Sequence, residues 1–171
     1  MKDTYKLILG IDPGKGGGLA VYNEKENETK AIKFIDDLCE LSGIVGSIIH
    51  GFKASEVYVI VEHVHSFPTD SRPSAFSFGR NLGQWEGILA SYELDKETVA
   101  PKTWQNHYDV PIIKNKYERK RWLKEIAQTM FPDIRVTLNI CDALLIANYA
   151  KEMQYYKGGK IEKQKKGRKN K

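Results

Sequence analysis

Short apolar runs alternate with helical spacings along the chain and define its predicted elements. Residues 5–12 and 56–62 are apolar on both faces, which is typical of central strands covered on both sides. Residues 19–22 and 30–35 predict two shorter strands, and the glycines that follow Pro13 predict a tight turn between the first two. The first three strands therefore form a predicted antiparallel meander.

The helical segments place these strands relative to one another. A helix capped by Asp36 or Asp37 and ending near Gly51 separates the meander from residues 56–62, so we expect that strand to pair parallel to the first. The remaining predicted elements are a helix over 74–93, a strand over 98–100, a helical turn over 101–105, a basic helix over 114–131 with Tyr117, Trp122, Ile126 and Met130 inward, and a last helix over 139–155. The prediction is an α/β fold with a mixed five-stranded sheet flanked by helices.

Length, composition and charge suit one globular domain with a basic tail. The chain has 171 residues, of which 41% are hydrophobic and 29% charged. We predict a domain over residues 1–156 and a tail over 157–171. The tail holds eight Lys or Arg and one acidic residue, whereas the rest holds 19 basic and 21 acidic residues. Such a tail is typical of a non-specific nucleic-acid-binding arm, and also of a solvated, disordered end.

Cysteine content and hydropathy bear on location. Cys39 and Cys141 are isolated, which argues against a disulfide framework or a zinc site and fits a reducing cytosol. No apolar run is long enough to span a membrane, and the first residues do not resemble a signal peptide. We therefore expect a cytoplasmic protein that is not attached to a membrane.

Three acidic residues occupy positions where a carboxylate is costly unless it has a function. Asp12 ends the first strand and Glu62 ends the fourth, so parallel pairing would bring both to the same sheet edge and face. Asp142 lies in the first turn of the last helix. Clustered carboxylates repel one another unless a cation lies between them, and hard oxygen ligands select Mg²⁺ or Mn²⁺. Two such ions about 4 Å apart could hydrolyse a phosphodiester; an ordinary turn cap is the alternative for a strand-end Asp.

Five sequence motifs resemble, in order, those of the RuvC-like Holliday-junction resolvases, especially phage members. They are LGIDPG at residues 9–14, VEHV at 61–64, SAFSFGRNLG at 74–83, VAPKTW at 99–104 and CDALLIA at 141–147. The resemblance implies an RNase H-like fold, a homodimer, a bacterial or phage protein, and paired nicking of branched DNA with a two-metal Mg²⁺ or Mn²⁺ site. It also implies that Asp12, Glu62 and Asp142 are catalytic metal ligands.

Two positions depart from the pattern of this family. Asn139 stands where the family usually has a fourth acidic or histidine ligand; we expect it to act as an uncharged fourth ligand, with the N-cap of the last helix as the alternative. His65, with Phe67 two residues later, stands where some members have a base-stacking Phe. We expect the homodimer to be built on the helix over 74–93, whose Phe76 and Phe78 fit core or dimer packing better than base stacking.

The remaining predicted site residues are DNA contacts. Their aromatic, imidazole or cationic side chains suit bases and phosphates. The set is His65, Phe67, Arg72, Arg80, Lys102, Lys114, Lys116, Arg119 and Lys120. Two alternatives to a junction resolvase remain open at this stage. One is an RNase H-fold nuclease acting on flaps or RNA–DNA hybrids, and the other is a non-catalytic junction-binding protein, which the neutral Asn139 would favour.

Overall fold

A mixed sheet of five strands, with helices on both faces, forms the body of the protein. The computed structural model describes residues 5–63 and 71–158, and side chains through residue 154. The strands are β1 (Leu7–Asp12), β2 (Gly18–Asn23), β3 (Glu28–Lys33), β4 (Val57–Glu62) and β5 (Lys96–Val99). The helices are α1 (Leu38–Ile49), α2 (Arg72–Ser91), α3 (Pro101–His107), α4 (Lys116–Met130) and α5 (Cys141–Gly158), with a 3-10 turn at Ala54–Glu56.

The sheet topology confirms the pairing predicted from the sequence. The strand order is β3-β2-β1-β4-β5. β1 and β2 are antiparallel, as are β2 and β3, whereas β4 runs parallel to β1 and to β5. The register aligns Ile11 with Val61, so the carboxyl ends of β1 and β4 meet at one edge. Both candidate carboxylates at those ends therefore lie at the same edge of the sheet.

Each face of the sheet has its own hydrophobic core. On one face, Ile8 and Ile60 pack against α5, which α3 and α4 cover in turn. On the other face, Leu9 and Val59 pack with α1 and with Trp85 of α2. Alternation along β1 and β4 then directs Asp12 and Glu62 to the α5 face.

Close contact between α5 and β1 sets the position of the candidate site. A Cβ atom on Gly10 would lie 2.4 Å from the backbone nitrogen of Ala147 and 2.7 Å from the carbonyl oxygen of Ala143. Because only glycine leaves this space free, the helix backbone rests directly on the strand. The first turn of α5, with Asp142, thereby reaches the end of β1.

Some sequence-based expectations about the helices are wrong in detail. In α4, Tyr117 is 74% exposed and Met130 38% exposed, whereas Leu123 and Ala127 are the buried positions. The first turn of this helix extends past the core and over a cleft, so the apolar stripe is shorter than expected. The last helix begins at Cys141, two residues later than predicted, and continues to Gly158, past the expected domain boundary at residue 156. The predicted tail beyond that point lies outside the described residues.

The described ranges contain no candidate for a membrane-spanning helix. None of the helices within residues 5–63 and 71–158 combines the length and the apolar character needed to cross a bilayer.

Candidate active site

Asp12 is buried at the end of β1, beneath the glycine-rich turn that leads to β2. Its Oδ1 accepts a hydrogen bond from the backbone N–H of Gly14 at 3.0 Å. A Cβ on Gly17 would lie 2.5 Å from the Asp12 carboxyl carbon, so the turn closes over this carboxyl only because residue 17 is glycine. Burial raises the pKa of Asp12, and the nearby Asp142 charge raises it further, against the opposing effect of Lys120.

Glu62 ends β4 and is held by an indole group. The Nε1–H of Trp104, which is fully buried in α3, donates to Glu62 Oε1 at 2.9 Å. Burial, with the charges of Asp12 and Asp142, raises the pKa of Glu62 to about 8, although the Trp104 hydrogen bond and Lys120 oppose the rise. Proton loss from Glu62 near neutral pH therefore needs a further positive charge nearby.

Asp142 and Lys120 form an ion pair in the middle of the site. Lys120 Nζ donates to Asp142 Oδ2 at 2.5 Å and lies 3.7 Å from Asp12 Oδ2. Burial alone would lower the pKa of Lys120, but the two carboxylates outweigh it and hold the pKa above its usual range. The thiol of Cys141 is buried and donates to Asp142 Oδ1 at 3.2 Å. One ammonium group thus lies against two of the three carboxyl groups.

Asn139 lies in the turn before α5 and lines the same cleft as the three acids. A Cβ on Gly16 would lie 4.0 Å from Asn139 Nδ2, so the amide faces the turn that covers Asp12. Within the described chain, no α5 backbone amide donates a hydrogen bond to the Asn139 side chain, and the helix begins two residues further on. The structure therefore gives no support to the N-cap alternative, and the ligand role stays a prediction.

The cleft itself has a volume of about 740 Å³ and combines acidic, basic and aromatic walls. Its floor holds Asp12, Glu62 and Asp142. Its basic lining consists of Lys15 from the glycine turn together with Lys116, Arg119 and Lys120 from α4. An anionic polymer could therefore bind here while one of its phosphates approaches the carboxyl groups.

Of the predicted DNA contacts, Lys116, Arg119 and Lys120 line this cleft. Arg72, Lys102 and Lys114 are exposed but do not line it, and Arg80 forms an ion pair with Asp36, with Nη2 and Oδ1 2.9 Å apart. His65 and Phe67 lie outside the described residues.

Several residues in or behind the cleft were not assigned a role from the sequence: Lys15 lines it, and Trp104 and Asn81 hold residues that line it. Asn81 is a buried polar side chain of α2, 3% exposed. With its amide oriented to match its neighbours, the oxygen accepts from Lys15 N–H and the nitrogen donates to the Ser77 carbonyl, both at 3.2 Å. It ties α2 to the glycine turn. The sequence offered only a polar residue on an otherwise apolar helical face as a sign of this role.

The oxygen donors of the site are of the kind that a hard divalent cation prefers, but they are not at present arranged around a common point. Among residues 5–63 and 71–154, no three His, Cys, Asp or Glu side chains are arranged as a metal-ligand group. However, Asp12, Glu62 and Asp142 offer oxygen donors, and burial together with repulsion among these carboxylates raises the pKa of Asp12 and of Glu62. The ammonium of Lys120 lies between Asp142 and Asp12, at the position where a cation would relieve that repulsion.

Two solved structures share the fold. T. thermophilus RuvC in complex with a Holliday junction substrate has a TM-score of 0.59 and 16% sequence identity, and the match covers 91% of this chain and 97% of that one. A second Thermus thermophilus RuvC structure has a TM-score of 0.56 and 18% identity, with 86% and 96% covered. No protein-family model matches the chain, and no curated protein matches it at a significant level. The similarity confirms the predicted RNase H-like fold and, at the level of fold, the likeness to RuvC.

Proposed function

We propose that this protein is an endonuclease that hydrolyses phosphodiester bonds in branched DNA, with the four-way junction as its substrate and Mg²⁺ or Mn²⁺ as its cofactor. The observation that carries the proposal is the meeting of Asp12, Glu62 and Asp142 in one cleft whose lining also includes four basic side chains. The shared fold with a RuvC that was solved on a Holliday junction supports the choice of substrate.

The three carboxylates and Asn139 would hold the metal. A bound divalent cation supplies a water molecule of lowered pKa and neutralises charge on the reacting phosphate. The Gly14 N–H and the Trp104 indole each occupy one carboxylate oxygen, on Asp12 and Glu62 respectively, and so fix how these side chains present the other oxygen. Asn139 adds an amide oxygen without charge, which weakens the site relative to four acids.

Lys120 can pair either with the carboxylates of the site or with a phosphate of bound DNA. In the protein alone its ammonium compensates Asp142 and Asp12. When a cation takes over that compensation, Lys120 is released to bind a phosphate oxygen at the cleft, where Lys116 and Arg119 already contribute positive charge. The same side chain therefore stabilises the metal-free protein and binds the substrate.

The proposal includes a homodimer formed through α2. Gly79, Gly83 and Gly87 recur every fourth residue along its exposed side, and a Cβ on any of them would meet no atom within 4 Å. Phe76, 75% exposed, lies on the same side. Three glycines inside a 20-residue helix cost about 1 kcal/mol each, and close packing of a second copy would offset that cost. Two-fold symmetry would match the paired strands of a junction.

The test is a cleavage assay on end-labelled four-way junctions, flaps, RNA–DNA hybrids and plain duplexes, each with Mg²⁺, with Mn²⁺ and with EDTA. We expect paired nicks in the junction that require metal, and little cutting of the duplex. Preferential cutting of flaps or hybrids would assign the protein to another nuclease class of the same fold. Tight junction binding without cutting under any metal condition would make it a non-catalytic junction-binding protein.

A further inference from the structure

Two aromatic side chains stand apart from both hydrophobic cores and line the cleft that holds the carboxylates. Tyr117, in the first turn of α4, is 74% exposed, and Phe78, on α2, is 37% exposed. Neither ring belongs to the two clusters of packed apolar residues described for the sheet faces, so the expected core packing of Phe78, like the inward Tyr117, is not observed. Tyr117 therefore forgoes most of the stabilisation that burial would give its ring, and Phe78 forgoes part of it, at one and the same site.

Helix geometry explains why these rings reach the cleft. Phe78 continues the apolar stripe of α2 that includes Trp85 and Leu89, but it lies beyond the sheet edge, where the cleft replaces the core. Tyr117 lies nearly one turn before Lys120 on α4, on the side that approaches the acids. Each ring therefore lies on the same face of its helix as the residues that pack against the sheet, and this face leads to the site.

The backbone under both rings is held firmly. Asn115 Oδ1 accepts hydrogen bonds from the N–H groups of Tyr117 at 2.9 Å and Glu118 at 3.3 Å, which fixes the first turn of α4. Phe78 lies within a 20-residue helix that Asn81 ties to the glycine turn. When such a ring binds a flat partner, the freedom that is lost is that of the side chain and not of the backbone.

The chemistry of the cleft specifies that partner. The rings offer flat apolar surfaces, and Lys15, Lys116 and Arg119 offer positive charge beside them. A ligand that satisfies both must join a planar π-system to a phosphate, as a nucleotide does. In a paired duplex each base is covered by its neighbours on both faces, so an aromatic side chain can stack only on a base released from the stack.

We propose that Tyr117 and Phe78 form a stacking site for an unstacked nucleobase next to the phosphate that is cut. This inference rests on the proposed nuclease function and deepens it, because it makes base release at a branch part of substrate recognition. Stacking is tolerant of sequence, since every base has a π-face. The site would therefore select DNA by the interruption of its stack and not by its bases.

The first experiment measures binding without metal, in EDTA, to a four-way junction, a splayed fork and a fully paired duplex. Tyr117→Leu and Phe78→Leu should each weaken junction and fork binding about 10-fold, as expected for the loss of one base–aromatic stack, and leave duplex binding within about 2-fold. Tyr117→Phe keeps the ring and should bind like the wild type. Ile112→Ala, which shortens a 99% exposed apolar side chain outside the cleft lining, is the matched control and should also be silent.

The second experiment removes the base instead of the ring. An abasic site at the branch point should weaken wild-type binding about 10-fold but should not weaken Tyr117→Leu further, because its stacking partner is already lost. Equal effects of the abasic site on both proteins, or equal losses on duplex and junction for Tyr117→Leu, would overturn the stacking site. If the wild type binds and cuts junctions while all ring variants are unchanged, only this inference fails; if the wild type binds no DNA, the proposed function fails with it.

Discussion

Replacing Glu62 with glutamine is expected to stabilise the metal-free protein and to abolish cleavage. Burial, with the charges of Asp12 and Asp142, raises the pKa of Glu62 in the folded chain from 4.5 to about 8. The folded protein therefore keeps a proton that the unfolded chain releases above pH 4.5. Stability that is present below pH 4.5 is consequently lost as the pH rises to about 8. Glutamine has no such proton to lose, and its carbonyl oxygen can still accept the Trp104 N–H.

The size of the effect follows from the two pKa values. One pKa unit corresponds to about 1.4 kcal/mol, so the difference between 4.5 and 8 sets an upper limit of about 5 kcal/mol on the stability lost. We expect about 2 kcal/mol, because Asp12 titrates together with Glu62 and the site can relax around a charge. Glu62→Gln should thus match the wild type near pH 5 and exceed its free energy of unfolding by this amount at pH 8.

The assay is urea denaturation at pH 5 and pH 8 in EDTA, repeated at pH 8 with Mn²⁺. Glu125→Gln, at an exposed position on α4, is the matched control and should show no pH-dependent difference from the wild type. Mn²⁺ should stabilise the wild type more than Glu62→Gln, since the variant lacks one charged ligand. A stability difference between Glu62→Gln and the wild type that is the same at both pH values would refute the reasoning.

Four other changes test the remaining parts of the proposal. Asp142→Asn should reduce cutting at least about 100-fold, because a metal ligand is lost, while junction binding in EDTA persists; unchanged cutting would remove Asp142 from the mechanism. Asn139→Asp should lower the Mg²⁺ concentration needed for half-maximal cutting, because a charged ligand is gained, and an unaltered metal titration would exclude a ligand role. Deleting residues 157–171 should weaken binding to every DNA shape equally and make DNA binding less dependent on salt concentration. A loss of binding confined to junctions would show instead that the tail recognises the shape of the junction. Gly83→Gln should give a monomer by light scattering, with a free energy of unfolding raised by up to about 1 kcal/mol from helix propensity; a persistent dimer would place the interface elsewhere.

Those parts of the fold that depend on local pattern were predictable. The apolar runs at β1 and β4 and the helix between them gave the parallel pairing, which in turn placed Asp12 and Glu62 at one sheet edge. Asp142 followed from its place in the first turn of the last helix. These predictions succeed because strand alternation and crossover connections leave few arrangements open.

Contacts between distant segments were not predictable from pattern alone. The indole of Trp104 reads as an ordinary core residue in sequence, yet its N–H holds Glu62. Lys120 belongs to a run of basic residues of which any could have faced the acids, and only helix packing selects it. Tyr117 was expected to point inward because its spacing fits the apolar stripe of α4. The stripe is longer than the core beneath it, so Tyr117 is exposed. In each case the deciding fact is where one element ends relative to another.

The burial of α5 also has a consequence for when the site comes into existence. The seven residues 141–147 are all buried, and Asp142 meets Asp12 only once this helix has docked on β1. Because β1 is synthesised before the other described elements and α5 after them, the ligand set cannot be complete until the last helix has been made. A nascent or partly unfolded chain would therefore lack the assembled cluster of carboxylates. If the protein is the nuclease proposed above, it could cut DNA only after its core is complete.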